Sequence, residues 1–162
     1  MNTKRAFVAA SISGGREMLD TVKYIISIVE EREYEVLSLH NGSDDPVQTF
    51  LEKTGDPDAT SDNDFRDWDN RWIEAADIFI AEISTPSHGV GAEFEHCRLK
   101  PRLRLPLTPI LCLYKRGVGR ISPMIKGIAD DESYIWVREY HDFFSLKMIL
   151  VAFLETFGKD AA

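Results

Sequence analysis

Two acidic residues stand where carboxylates are unusual, and each points to chemistry. Asp69 falls inside the apolar stripe Phe65, Trp68, Trp72, Ile73 and Ala76, which recurs at helical spacing. An unpaired carboxylate inside a protein costs several kcal/mol, so such a group is paired, protonated or turned to a polar cavity. One reading makes Asp69 an acid/base group in an aromatic-walled pocket, its pKa raised by low dielectric. The other pairs it with Arg66 or Arg71. Glu93 follows the turn residues Ser84-Thr85-Pro86-Ser87-His88 and the run Gly89-Val90-Gly91. It reads as a first-turn residue of a helix opening at Gly91, where the positive end of the dipole favours an ionised carboxylate by roughly 0.3–1 kcal/mol. Beside a backbone able to hold an anion, an ionised Glu93 is a candidate nucleophile; alternatively it only complements the helix end.

The elements that must position these groups alternate between strand and helix. Ala6–Ala10 reads as a first strand, closed by Ser11-Ile12-Ser13-Gly14-Gly15-Arg16. A helix follows, with Met18, Val22, Ile25, Ile26 and Val29 on one face. A strand, a glycine turn and a helix offer amides and a positive helix end to a phosphate; read blandly, Gly14-Gly15 is a tight connection. The turn matches neither a dinucleotide fingerprint nor a Walker sequence. Glu35–His40 alternates as a second strand with His40 at its carboxyl end, either a turn residue or a ligand contact. Asn41–Asp62 is a long polar loop with a short helix near Gln48–Lys53, and it leads into a helix over Asn63–Ala76. Asp56, Asp58, Asp62 and Asp64 have no metal-loop spacing and read as solvated surface.

Ile78–Ile83 is nearly all apolar, the pattern of a strand covered on both faces. Pro101 ends the helix begun at Gly91, and the basic residues from Arg98 to Arg104 read as solvated. Further strands are expected at Thr108–Tyr114 and Tyr134–Val137, with a helical turn over Ile121–Gly127 between them. The last helix, His141–Phe157, carries Phe143, Leu146, Leu150, Phe153, Leu154 and Phe157 on one face. Phe144, Met148 and Val151 widen that face beyond what one sheet covers, which points to a subunit interface. The expected fold is α/β: a Rossmann or flavodoxin-like three-layer sandwich around a parallel sheet of about five strands, one domain over residues 1–162. Such sheets bind ligands where strand order reverses, between the first and third strands, and both glycine turns land there.

A net charge of −8 argues against a nucleic-acid polymer or an anionic membrane as partner, though not against one small anion held by local amides. Cys97 and Cys112 lie in apolar surroundings without C-x-x-C spacing and read as packed free thiols of a reducing compartment. No run approaches the length of a membrane span and the lead is no signal peptide. The expected location is the cytoplasm, or the nucleus in a cell that has one.

Three ordered segments, SISGGRE (Ser11–Glu17), DNRWIEAADIFIAEISTPSHGVGAEF (Asp69–Phe94) and ILCLYKRGVGRISPMIKGIAD (Ile110–Asp130), resemble the nucleoside 2-deoxyribosyltransferase superfamily. Within it the chain is most similar to the 2'-deoxynucleoside 5'-monophosphate N-hydrolases. The resemblance implies metal-free and cofactor-free cleavage of the N-glycosidic bond of a small nucleotide, with Glu93 as nucleophile and Asp69 assisting departure of the base. It places phosphate recognition at Ser11, Ile12, Ser13, Gly14 and Gly15, at Ser87 and Gly89, and at Ser122 reaching in from a second subunit of a homodimer, with Arg16 also among the substrate-binding residues. His40 and Met124 match pocket-lining positions, Met124 also across the interface. The alternatives are transfer of deoxyribose between bases and a weakened nucleotide-binding module. Phe7 occupies the place of a family tyrosine that orients the nucleophile, while Ala10 and Ser13 replace a usual glycine and arginine. Glu95 stands where a glycine is common.

Overall fold

The computed structural model describes residues 3–158. Five parallel strands form one sheet: β1 (Arg5–Ala10), β2 (Glu35–Val36), β3 (Ile78–Glu82), β4 (Ile110–Lys115) and β5 (Ile135–Tyr140), in the order β2-β1-β3-β4-β5. The sheet reverses between β1 and β3, which pair from Ala6 opposite Ile78 to Ala10 opposite Glu82. The expected Rossmann-like architecture is therefore borne out.

Side chains alternate across the sheet, so each face has its own core. Ala6, Val8, Ile78, Ile80 and Leu111 pack with α1 (Leu19–Glu31) and α6 (Phe143–Phe157). Phe7, Ala9, Phe79, Ala81 and Cys112 pack on the other side with α3 (Asp62–Ala75) and α4 (His88–Arg98). Burying β1 and β3 on both faces explains their unbroken apolar runs. The remaining helices are α2 (Pro46–Thr54) and α5 (Pro123–Asp131).

Several expectations are corrected. The second strand stops at Val36; Leu39–Gly42 is a 3-10 turn that buries His40 instead of leaving it at a strand end. Ser38 competes with the ladder there, its hydroxyl donating to the Val8 carbonyl at 2.9 Å and accepting the Val8 amide at 2.8 Å. Helix α4 opens at His88, not Gly91, because the Ser87 hydroxyl caps it by accepting the Val90 amide. Glu93 thus lies in the second turn, away from the end of the dipole. The last strand runs on to Tyr140, and Phe143 and Phe144 are exposed at the start of α6, with Phe143 stacked on Tyr24.

Lys100 is not solvated but 1% exposed. Its Nζ donates to the carbonyls of Ile73 and Ala76 and to the Thr108 hydroxyl, at 3.1, 2.9 and 2.6 Å. It serves carbonyls at the end of α3 that the helix itself cannot satisfy. Of the acidic cluster, Asp64 forms a capping box with Ser61 at the start of α3.

Candidate active site

The turn after β1 and the turn after β3 meet at the reversal point. A Cβ on Gly14 would lie 2.7 Å from the Pro86 carbonyl oxygen and 2.8 Å from the Ser11 hydroxyl, so only glycine lets the two turns close on each other. Gly15 has φ +132°, a backbone region that L side chains rarely adopt. Between the turns lies a small cleft lined by Ser11, Gly15, Arg16, Asn41, Glu82 and Thr85. The Ser11 hydroxyl and Nη1 of Arg16 are buried without a hydrogen-bond partner, while Nη2 of Arg16 donates to the Ser43 carbonyl. Two unsatisfied donors at one cleft are the complement of an anion. Ile12 and Ser87 are half-buried beside it, and Ser13 and Gly89 are exposed.

Asp69 and Glu93 lie on the other face of the sheet, projected from α3 and α4. The helices pack side by side and are tied by His96 and Glu74 at 3.0 Å. Asp69 pairs with neither nearby arginine: Arg66 binds Asp67, and Arg71 lies over the Trp68 ring. Its neighbour is His40, whose Nε2 sits 3.4 Å from Oδ1 without hydrogen-bond geometry. Burial pushes the Asp69 carboxyl up to about 7. Burial, with the Asp69 charge added, pushes Glu93 to about 8. One oxygen of each carboxyl is buried without a partner.

Burial thus holds both acids against ionisation, and the Asp69 charge adds to it at Glu93. This departs from the expectation of a dipole-stabilised Glu93, since desolvation outweighs the helix end once the side chain is one turn farther in. His40 is held neutral, its pKa near 4, first by burial and then by the Arg16 charge. Its ring packs against Phe50 and Trp72, both 5.6 Å away between centroids. Trp72 therefore backs the histidine. Phe7 is fully buried in β1 and stacks on Phe79 at 5.5 Å. Ser122 caps α5, and Met124 is 74% exposed just after it. Glu82, at the end of β3, was not expected at the site; a lone carboxylate closing an apolar strand was its only trace in the sequence.

Two acids on α3 and α4 and a donor-lined cleft thus lie near the reversal point of a Rossmann-like sheet. No protein-family model matches the chain. It is 36% identical over 151 residues to a Methanosarcina mazei protein named as a 2'-deoxynucleoside 5'-phosphate N-hydrolase, covering 93% of this chain and 84% of that one. It is 33% identical over 133 residues to the 5-hydroxymethyl-dUMP N-hydrolase of Rattus norvegicus, covering 80% of this chain and 74% of that one. The solved CMP N-glycosidase of Clostridium botulinum superposes with a TM-score of 0.61 at 19% identity, over 93% of this chain and all of that one, a likeness of fold. The chain belongs to the 2'-deoxynucleoside 5'-phosphate N-hydrolase family, which bears out the resemblance carried by its three ordered segments.

Proposed function

We propose that the protein hydrolyses the N-glycosidic bond of a deoxynucleoside 5'-monophosphate, releasing free base and deoxyribose 5-phosphate. The observation that carries this reading is the pair Asp69 and Glu93, half-buried on adjacent helices with both pKa values raised into the neutral range. Glycoside cleavage with an oxocarbenium-like transition state needs one carboxylate ionised and its partner protonated. Two coupled acids with values near 7 and 8 hold a single proton between them in that interval. It rests more on Glu93, and the reaction starts from the less populated arrangement with the proton on Asp69 and Glu93 ionised.

In the first step a Glu93 oxygen bonds to the anomeric carbon while the carbon–nitrogen bond breaks, and the Asp69 proton goes to the departing base. Water then attacks the same carbon, Glu93 leaves as carboxylate, and the water's proton returns to Asp69. The neutral His40 ring lies beside Asp69, its Nε2 3.4 Å from Oδ1. Ser11, the Ile12–Gly15 backbone, Arg16, Ser87 and Gly89 receive the phosphate. The chain acts as a single-domain cytoplasmic homodimer: Phe144 and Met148, 74% and 57% exposed on α6, are covered by the second subunit. Ser122 and Met124, exposed at the start of α5, reach the partner's cleft.

The test is release of free base, read by chromatography, across deoxynucleoside and ribonucleoside monophosphates. Glu93→Ala should abolish release, and undiminished activity in that variant overturns the mechanism. A second reading, a weakened nucleotide-binding module, is favoured by Phe7, which offers Glu93 no hydroxyl. It predicts thermal stabilisation by a monophosphate with no base released.

A further inference from the structure

Glu82 is an acid that the reaction does not use. It ends β3 on the face toward α1 and α6, opposite the face that carries Asp69 and Glu93, and it is 1% exposed. Oε1 accepts the Tyr140 hydroxyl at 2.9 Å and the Ser84 hydroxyl. Oε2 accepts the Ser84 amide at 3.2 Å. Ser84 in turn accepts the Lys115 amide at 2.8 Å, which leaves its own proton for Glu82. Burial raises the Glu82 pKa, while the Ser84 and Tyr140 hydrogen bonds and the Lys115 charge pull it back. Both carboxyl oxygens are acceptors in every contact they make, the bonding pattern that favours the ionised form.

This carboxylate lines the same small cleft as Ser11 and Arg16. The cleft lining therefore includes two buried, unpartnered donors and a carboxylate held in place. A single phosphoryl group satisfies the donors and keeps its remaining oxygens toward the open side. A second phosphoryl would add charge beside an acid that cannot turn away, because Tyr140 and Ser84 pin both its oxygens. In a buried cleft, like charges a few ångströms apart are poorly screened.

We propose that Glu82 is a specificity-determining residue that limits the phosphate subsite to one phosphoryl group by charge, rejecting nucleoside diphosphates and pyrophosphate. The proposal rests on the nucleotide reading above for its ligand, and its test includes ligands without a base.

Calorimetric affinities of the full chain for a deoxynucleoside mono- and diphosphate, inorganic phosphate and pyrophosphate are compared with those of Glu82→Gln, which keeps the shape and one acceptor. The diphosphate and pyrophosphate should gain about tenfold or more relative to their single-phosphoryl counterparts. Equal movement of all four ligands would mean that Glu82 only supports the fold, and would overturn the proposal. On the unaltered protein, the methyl ester of the monophosphate adds bulk while removing charge. It should bind better than the diphosphate; exclusion equal to the diphosphate's would make size the cause and also overturn the proposal. Binding of inorganic phosphate without base release from any nucleotide would sink the hydrolase reading and leave this one standing.

Discussion

The raised pKa values of the acid pair make stability fall with pH, in a way one substitution should abolish. Glu93 titrates near 4.5 when unfolded and near 8 in the fold, so between those values the native state binds more protons than the unfolded chain. Its contribution to stability is full below the unfolded value and is lost as pH rises through the folded one. From pH 6 to pH 9 the loss corresponds to about two pH units of one-proton linkage, or about 3 kcal/mol. That figure is a ceiling, because water entering the opened crevice would relieve part of it.

Glu93→Gln cannot ionise and so removes this slope. Every other ionisable group is common to both proteins and cancels in the comparison. By pH 6 about 1.5 pH units of this linkage, roughly 2 kcal/mol, are already lost, so in urea denaturation the variant should lead at pH 6 as well. By pH 9 that lead should have grown by about 1–3 kcal/mol more, or roughly 3–10 °C in Tm for a chain of this size. Asp69→Asn should show a smaller gain over this range, levelling off just above pH 7, since its folded value is lower. A difference between wild type and Glu93→Gln that stays constant from pH 6 to pH 9 would show that Glu93 is ionised in the resting fold and would refute the reasoning.

Three further substitutions separate the parts of the structure. Gly14→Ala places a Cβ against the Pro86 carbonyl and the Ser11 hydroxyl, so KM for the nucleotide should rise about tenfold or more while kcat changes little; an unchanged KM would mean the two turns need not touch. Lys100→Met leaves the Ile73 and Ala76 carbonyls without their ammonium partner and should cost roughly 2–4 kcal/mol in urea denaturation, with unchanged stability as the contrary result. Phe7→Tyr should raise the rate of base release at least about fivefold, by giving the unpartnered Glu93 oxygen a donor; a rate that stays flat or falls would show that the hydroxyl cannot reach it.

How much of this was legible in the sequence depended on the range of the physics involved. Doubly buried strands produce apolar runs, and helices against a sheet produce 3.6-residue stripes, so the order of elements and the reversal point could be read directly. Asp69 was legible for the same reason, because a carboxylate within an aromatic stripe contradicts its surroundings. The misses came from single side chains acting over long sequence distances. Ser38 takes the Val8 backbone and ends β2 early, so His40 is carried inward rather than left at a strand end. Lys100 crosses to α3, where carbonyls beyond the reach of any pattern await it.

Glu93 shows the same limit at the centre of the site. From sequence its environment was a helix end, a local and attractive field; in the fold it is a dry contact with α3, a nonlocal and repulsive one. Moving the cap from near Gly91 to Ser87 carries Glu93 about a turn deeper, and a dipole effect that fades within one turn gives way to desolvation. The catalytic assignment is unchanged by that reversal, but its basis is different. A carboxylate already stabilised as an anion would gain little from a developing cation at the sugar. One held near its titration point by burial gains most at the moment positive charge appears beside it, and only there does that gain lower a barrier.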